Sequence, residues 1–130
     1  MIPNSAALKY KAVQVKTCSP GGLLVLLYQG LLRFVGEAAV AMRAGERGRA
    51  GEKIERAHGI LSELLAGLRR DHAPELCDRL QGIYLFCMGH LVEANLHQDP
   101  ERIDAVVRIL TPLRDAFTQA VQSVDAGEER

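Results

Sequence analysis

The fold is decided by the most apolar stretch of the chain, which runs from Ser19 to Gly45 and reads SPGGLLVLLYQGLLRFVGEAAVAMRAG. Ser19 followed by Pro20 is typical of a helix N-cap and first helical residue, because the serine hydroxyl accepts a free N–H and proline has none to lose there. Gly45 provides the stop. The stretch therefore predicts one long helix that begins at Pro20 and ends near Gly45.

Apolar side chains cover this helix in two adjacent stripes. At spacings of three and four, the first stripe consists of Leu24, Leu27, Leu31, Phe34, Ala38 and Met42. The second stripe consists of Val25, Tyr28, Leu32, Val35 and Ala39. Together the two stripes cover a wider angle around the helix axis than the roughly 100° that a surface helix buries. The helix therefore needs neighbours on several sides. Arg33 and Glu37 interrupt the apolar run before the ~20 residues that a bilayer requires, which predicts no membrane insertion.

Composition limits the class of protein. The chain has 130 residues, of which 48% are hydrophobic, enough for one domain with its own core. Sixteen basic residues balance 16 acidic ones, so no nucleic-acid partner is expected. Cys18, Cys77 and Cys87 fit no disulfide framework and no signal peptide is recognisable, which predicts free thiols in the cytoplasm.

Three more segments have helical periodicity. They run from about Arg49 to Arg69, from Pro74 to about His97, and from Pro100 onward, with Asp99 as the N-cap of the last. Residues 1–18 have weak periodicity and are interpreted as an N-terminal arm, and the charged residues 125–130 as a frayed tail. Because connections of a few residues force consecutive helices to be antiparallel, residues 19–124 are predicted to form an elongated, all-α, up-down four-helix bundle.

Three positions within these helices carry further expectations. Pro112 lies inside the last periodic segment, and because the apolar stripe continues in phase beyond it, it predicts a kink without a break. Gly59 and Gly67 weaken the second helix by ~1 kcal/mol each relative to alanine, so close packing or local softness is expected there.

Few residues are spaced for chemistry. Glu55 and His58 form a single Glu-x-x-His pair, where a di-iron bundle needs two such pairs. Cys87 and His90 are three residues apart, but no second pair is available to complete a zinc site. Cys18 precedes a helix start, where a thiol can become reactive, and this remains an alternative. No catalytic residue, metal or cofactor is predicted, and the chain is not expected to be an enzyme.

The surplus of apolar surface on the first helix leaves two interpretations open. Both stripes belong to an ordinary core, or part of them lines a groove that binds another polypeptide helix. Periodicity alone does not choose between them.

Several stretches resemble the flagellin-specific export chaperone family (FliS), and the likeness covers the chain from Tyr10 to about Ala120. Near the start, Tyr10, Val13 and the run Thr17-Cys18-Ser19-Pro20 are similar to the family's opening, and Leu26-Leu27-Tyr28-Gln29-Gly30 is similar to its next segment. The most specific match is Ile83-Tyr84, Met88 and Leu91-Val92-Glu93-Ala94-Asn95-Leu96, followed by Asp99 and the run Leu113-Arg114-Asp115-Ala116. The chain departs from the family where Leu85-Phe86-Cys87 and Gly89-His90 replace an Asp-Tyr-Met run and two arginines.

The resemblance implies a cytoplasmic chaperone without a cofactor. It would bind the disordered C-terminal segment of flagellin, prevent premature polymerisation, and assist delivery to the flagellar type III export apparatus. A co-chaperone or regulatory protein is a further possible partner, and the chain itself is expected to be a monomer or weak homodimer. The resemblance also implies that the arm covers the client groove. The client-binding residues predicted on motif matches and apolar positions are Tyr10, Val13, Leu23, Leu27, Tyr28, Leu31 and Phe34.

Two rival hypotheses come from other classes of protein. One is a helical module that homodimerises through the surplus surface of the first helix and has no flagellin client. The other is a redox sensor or enzyme centred on Cys18.

Overall fold

The computed structural model describes residues 20–128, with side chains from 22 to 123. The regular secondary structure in that range consists of four helices: α1 (Pro20–Arg43), α2 (Arg47–Ala66), α3 (Pro74–His97) and α4 (Pro100–Glu128). Each helix packs on its neighbours in sequence, and α1 also packs on α4. The four helices therefore close into an antiparallel up-down bundle, which confirms the predicted fold class. α1 has 24 residues, so the bundle is about 36 Å long along this helix.

The first helix ends in a Schellman motif. In this motif a residue in the left-handed backbone conformation turns the chain, and the N–H groups that follow the helix donate hydrogen bonds to its last free carbonyls. Gly45 has a φ of 77°. Its N–H donates to the Met42 carbonyl at 3.1 Å, and the Glu46 N–H donates to the Ala41 carbonyl at 2.9 Å. Gly45 is thus confirmed as the stop, with Arg43 as the last helical residue.

The connection between α3 and α4 is equally short and well bonded. Gln98 takes a left-handed conformation, and its N–H donates to the Ala94 carbonyl. The Asp99 carboxylate then accepts the Glu101 N–H at 3.1 Å and the Arg102 Nε–H at 3.2 Å. The N-cap predicted at Asp99 is confirmed, because its side chain accepts one of the free N–H groups of the first turn.

Some boundaries differ from the sequence-based expectation. α2 runs from Arg47 to Ala66, where about Arg49 to Arg69 was predicted. α4 continues through Pro112 without a break and ends at Glu128, inside the segment predicted to be a frayed tail. The kink at Pro112 stays a prediction.

Of the two alternatives expected for the glycines of the second segment, close packing is wrong at Gly59, whereas local softness stays a prediction. A Cβ added at Gly59 would meet nothing within 4 Å, so no neighbouring helix approaches closely there. Gly67 lies beyond the last residue of α2 and acts as its C-cap, donating its N–H to the Glu63 carbonyl at 3.0 Å. Gly59 is therefore an exposed weak point in helix propensity and makes no close contact.

The core uses both stripes of α1. Its buried residues are Tyr28, Leu31, Val35, Ala38, Ala39, Ala41 and Met42. Within the described range, residues 22–43 form the one helix that is long and apolar enough to cross a membrane, with a mean hydropathy of 1.6. α2 and α4 pack along this helix and bury part of its apolar surface, whereas Leu23 and Val40 remain 48% and 70% exposed.

Candidate functional site

The two ends of the bundle differ in how completely the helices close on one another. We call the end with the short connections at residues 44–46 and 98–99 the closed end. The open end contains the start of α1, the longer connection at residues 67–73 and the last turns of α4. Side chains from all four helices line an apolar cleft of about 270 Å³ at the open end. This cleft is the candidate binding site.

The cleft is apolar on its walls and polar at its edge. Its apolar lining consists of Leu23, Leu24, Leu27, Leu64, Leu68, Leu80, Tyr84 and Phe117. Glu63 and Arg69 supply the charged groups beside it. A cavity of this composition favours apolar side chains of a ligand, while the charged edge interacts with polar groups around them.

Two tyrosines form the base of the cleft. Tyr28 and Tyr84 are almost fully buried, and their hydroxyl oxygens share a hydrogen bond of 2.6 Å. The Tyr28 ring also lies 5.5 Å from the Phe117 ring, measured between centroids. Phe117 thereby connects α4 to α1 and to the cleft.

Burial controls the protonation of these hydroxyls. Burial and the hydrogen bond to Tyr84 raise the pKa of Tyr28 well above its usual range. Burial also raises the pKa of Tyr84, although the hydrogen bond between the two hydroxyls opposes the shift. Both side chains are therefore neutral at physiological pH, and they satisfy each other's hydroxyl without bringing a charge into the core.

The connection at residues 67–73 is tied to α3. The Arg70 guanidinium donates hydrogen bonds to the Asp78 carboxylate and to the Gln81 side-chain carbonyl. This contact holds the connection against the first turns of α3, next to the part of the cleft formed by Leu68 and Leu80. An exposed polar contact outside the core thus links the edge of the cleft to α3.

The structure separates the sequence-predicted site residues into four groups, of which Phe34 forms one by itself. Leu23 and Leu27 line the cleft. Tyr28 and Leu31 are fully buried and contribute to the core, with Tyr28 directly below the cleft. Tyr10 and Val13 lie outside the described residues.

Phe34 is away from the cleft, on the surface between α1 and α2. The cationic groups of Arg33, Lys53 and Arg56 lie 4.9, 5.6 and 5.7 Å from the centre of its ring. Lys53 also pairs with Glu37 at 3.0 Å. Phe34 therefore packs among cations, which is a different environment from the leucine-lined cleft.

Sequence reasoning missed most of the cleft. The missed residues come from the other three helices, from the connection at residues 67–73 and from the second turn of α1: Leu24, Leu64, Leu68, Leu80, Tyr84 and Phe117. Apolar periodicity placed several of them on core-facing stripes. Their meeting at an incompletely filled end depends on side-chain sizes across four helices, which a one-dimensional pattern does not report.

The candidate chemical groups do not form a reactive site in the described range. Burial raises the pKa of the Cys87 thiol to about 11, whereas His90 stacks on the Phe86 ring at 4.3 Å between centroids. Glu55 and His58 line a shallow groove between α2 and α3. Among residues 20–128, no group of three or more His, Cys, Asp or Glu side chains is placed to hold a metal ion. Cys18 lies outside the described residues.

A small four-helix bundle with an apolar cleft is suited to bind an apolar ligand between its helices. The model of the family described as flagellar protein FliS matches residues 3–124, nearly the whole chain. The chain therefore belongs to the FliS family, whose members are chaperones and not enzymes.

Curated relatives agree with this assignment. The flagellar secretion chaperone FliS of Bacillus subtilis is 34% identical over 88% of this chain and 84% of its own length. The flagellar secretion chaperone FliS of Campylobacter jejuni is 30% identical over 89% of this chain and 91% of its own length. The crystal structure of a flagellar chaperone from bacteria matches with a TM-score of 0.76 and 21% identity, covering 93% of this chain and 99% of that one. At that identity the structural match supports the fold alone.

Proposed function

We propose that this chain binds the disordered C-terminal segment of flagellin in the cytoplasm. Binding would keep flagellin from polymerising before it reaches the flagellar type III export apparatus. The observation that carries the proposal is the leucine-lined cleft at the open end, which is formed by all four helices.

The chemistry of the cleft suits an apolar, helix-forming segment. An amphipathic helix that inserts its apolar face into a hydrophobic groove uses side chains at spacings of three and four. At about 270 Å³, the cleft has room for one or two bulky side chains of such a helix. A longer client segment would then extend beyond the cleft over the surface of the bundle.

The cost of ordering the client makes binding reversible. A disordered segment that folds on binding buries ~1,000 to 3,000 Å² but loses several kcal/mol to ordering. The cleft already exists in the bundle, so the ordering cost falls on the client segment. Release at the export apparatus then requires no nucleotide or other cofactor on this chain.

Residues 1–18 are part of the proposal as an arm that lies across the client groove and is displaced or rearranged when flagellin binds. Leu23 lines the cleft one turn after Pro20, so α1 begins beside the cleft. Tyr10 and Val13 are the proposed anchors of the arm. Deleting residues 1–18 would then raise client affinity if the arm blocks the cleft, or lower it if the arm completes the binding surface.

The direct test is calorimetric titration with a peptide of the last ~40 residues of flagellin from the same cell. We expect submicromolar affinity and a negative heat-capacity change, since apolar surface is buried. The titration is repeated with the chain that lacks residues 1–18. If neither form binds the peptide, the flagellin assignment is wrong.

A matched pair of variants tests whether the cleft is the site. Leu23, 48% exposed at the cleft, and Val40, 70% exposed towards the closed end, lie on the same helix. Leu23→Glu places a carboxylate beside the apolar cleft and should weaken peptide binding at least tenfold. Val40→Glu should change it less than twofold. Equal effects of the two substitutions would exclude the cleft as the site.

A further inference from the structure

The tyrosine pair at the base of the cleft contains one more hydroxyl proton than its hydrogen bond uses. Tyr28 and Tyr84 bring two such protons, and the 2.6 Å hydrogen bond between their oxygens uses one. Within residues 22–123, neither hydroxyl has a second hydrogen-bond partner. The other titratable groups that act on the pair are the thiols of Cys77 and Cys87, and a thiol is a weak acceptor. The described residues therefore supply no good acceptor for the second proton.

The positions of the two rings determine which hydroxyl keeps this second proton. Tyr84 lines the cleft, whereas Tyr28 lies below it and is fully buried in the core. If Tyr84 donated to Tyr28, the second proton would be on Tyr28 in the apolar core, where a donor without an acceptor costs free energy. If Tyr28 donates to Tyr84, the second proton is on Tyr84 at the cleft. This arrangement is favoured, because water or a ligand in the cleft can accept the proton.

We propose that the Tyr84 hydroxyl donates this proton to a serine or threonine hydroxyl of the client, located between the apolar side chains that fill the cleft. The inference rests on the proposed function and adds a polar requirement to a cleft that otherwise selects apolar groups. A client with only apolar side chains there would displace water from Tyr84 and leave its proton without an acceptor. A client hydroxyl would replace that water and keep the hydrogen bond.

The leucine lining of the cleft determines which acceptor fits. The main-chain carbonyls of a helical client already accept hydrogen bonds within the helix. A carboxylate would lose its hydration for one neutral donor, since Arg69 and Glu63, the charged groups of the cleft, are at its exposed edge. A carboxamide would bring two N–H donors into the same apolar surroundings. A serine or threonine can donate its own proton to the carbonyl four residues earlier in its helix, so it accepts from Tyr84 and leaves no group unpaired.

Calorimetric titration of the full chain with the C-terminal flagellin peptide tests the proposal in two matched variants. Tyr84→Phe and Tyr28→Phe remove the same internal hydrogen bond, but only Tyr84→Phe removes the donor at the cleft. We expect Tyr84→Phe to weaken peptide binding about tenfold and Tyr28→Phe to weaken it less than threefold. Equal losses would overturn the proposal, because they would indicate that the pair has a structural role only. Circular dichroism checks that both variants keep their helicity.

A double-mutant cycle identifies the client hydroxyl. Each serine of the peptide is replaced by alanine, and each threonine by valine, one at a time. One replacement should weaken binding to the wild type about tenfold but binding to Tyr84→Phe less than twofold, because the donor is then already absent. Additive losses at every serine and threonine would overturn the proposal. A wild type that does not bind the unmodified peptide would overturn the proposed function as well, whereas binding with equal losses in the two tyrosine variants removes this inference alone.

The hydroxyl proton can also be followed in the wild type, which avoids any loss of stability from a substitution. The chain has three tyrosines, so isotope labelling at tyrosine Cζ gives three resolvable NMR signals. In a mixture of light and heavy water, a hydroxyl that exchanges slowly with solvent gives two Cζ signals in place of one. We expect the Tyr84 signal to split when the flagellin peptide binds, because the client hydroxyl then holds the proton away from solvent. A Tyr84 signal that stays single in the complex would overturn the proposal.

Discussion

The closed and open ends of the bundle are built from side chains of different size. At the closed end, the buried positions include five alanines, which let the helices approach one another: Ala38, Ala39, Ala41, Ala50 and Ala94. At the open end, the buried positions are filled by tyrosines and leucines, among them Tyr28, Leu64, Leu80 and Tyr84. Large side chains from all four helices surround a space at this end that they do not fill completely. The distribution of side-chain size thus gives one bundle two different ends. We expect the closed end to supply most of the stability and the open end to supply the binding site.

The largest expected effect tests whether the closed end carries the stability. Leu91→Ala removes a fully buried side chain there and should lower the free energy of unfolding by about 2–5 kcal/mol. Leu27→Ala at the open end should cost clearly less, because Leu27 is only partly buried and already borders a cavity. Urea denaturation of both variants gives the two values. The comparison between the ends fails if the losses are equal.

The tyrosine pair below the cleft gives the next largest effect. Tyr28→Phe or Tyr84→Phe leaves the remaining hydroxyl buried without its 2.6 Å partner, which should cost about 1–3 kcal/mol. The double variant should cost less than the sum of the two, because no hydroxyl is then left unpaired. A double-mutant cycle from urea denaturation measures this coupling. Simple additivity would mean that the two hydroxyls do not depend on each other.

Alkaline pH should destabilise the fold through buried acidic groups. Burial raises the pKa of Cys87 from its ordinary 9.0 to about 11, and it raises the pKa values of Tyr28 and Tyr84 as well. The unfolded chain then loses these protons at lower pH than the folded chain does. The stabilisation is complete below about pH 9 and is lost as pH rises towards and beyond the folded values.

For Cys87 alone, this loss amounts to about 1 kcal/mol between about pH 8 and pH 10. Unfolding free energies measured by urea denaturation across that range should fall less steeply for Cys87→Ala than for the wild type. Identical slopes for the two proteins would contradict the assignment of the pH dependence to this thiol.

The smallest expected effects come from two glycines that differ in backbone conformation. Gly59→Ala should raise the free energy of unfolding by about 0.5–1 kcal/mol, since the site is an open helix interior. Gly45→Ala should lower it by about 1 kcal/mol, because φ is 77° there and the Schellman motif at the closed end needs that conformation. Thermal unfolding of the two variants should show midpoint shifts of opposite sign. Shifts of the same sign would contradict one of these two explanations.

Local signals predicted much of the fold. Helical periodicity indicated four helices, and the turn chemistry at Gly45 and Asp99 located two of their boundaries, because these signals act within a few residues. The boundaries of α2 were less accurate, since Gly67 to Arg69 continue its pattern beyond the last helical residue.

The candidate site was less predictable. Leu23 and Leu27 were named in advance and line the cleft, but Tyr28 and Leu31 of the same helix are in the core. A step of one residue turns a helical side chain by about 100°, so apolar identity does not separate the residues of a groove from those of a core. That distinction depends on how the other three helices pack around α1.

Pro112 divides α4 into two parts that should differ in how readily they open locally. Before it, Ile103, Val106 and Leu110 are fully buried, whereas beyond it Leu113 and Phe117 are only partly covered. The proline has no amide hydrogen, so the Arg108 carbonyl lacks its usual helical donor at the junction. Amide hydrogens after residue 112 should therefore exchange with solvent through local openings of lower free energy than those of the first half. Phe117 belongs to this half, so the α4 side of the cleft can open and reclose while the closed end stays folded.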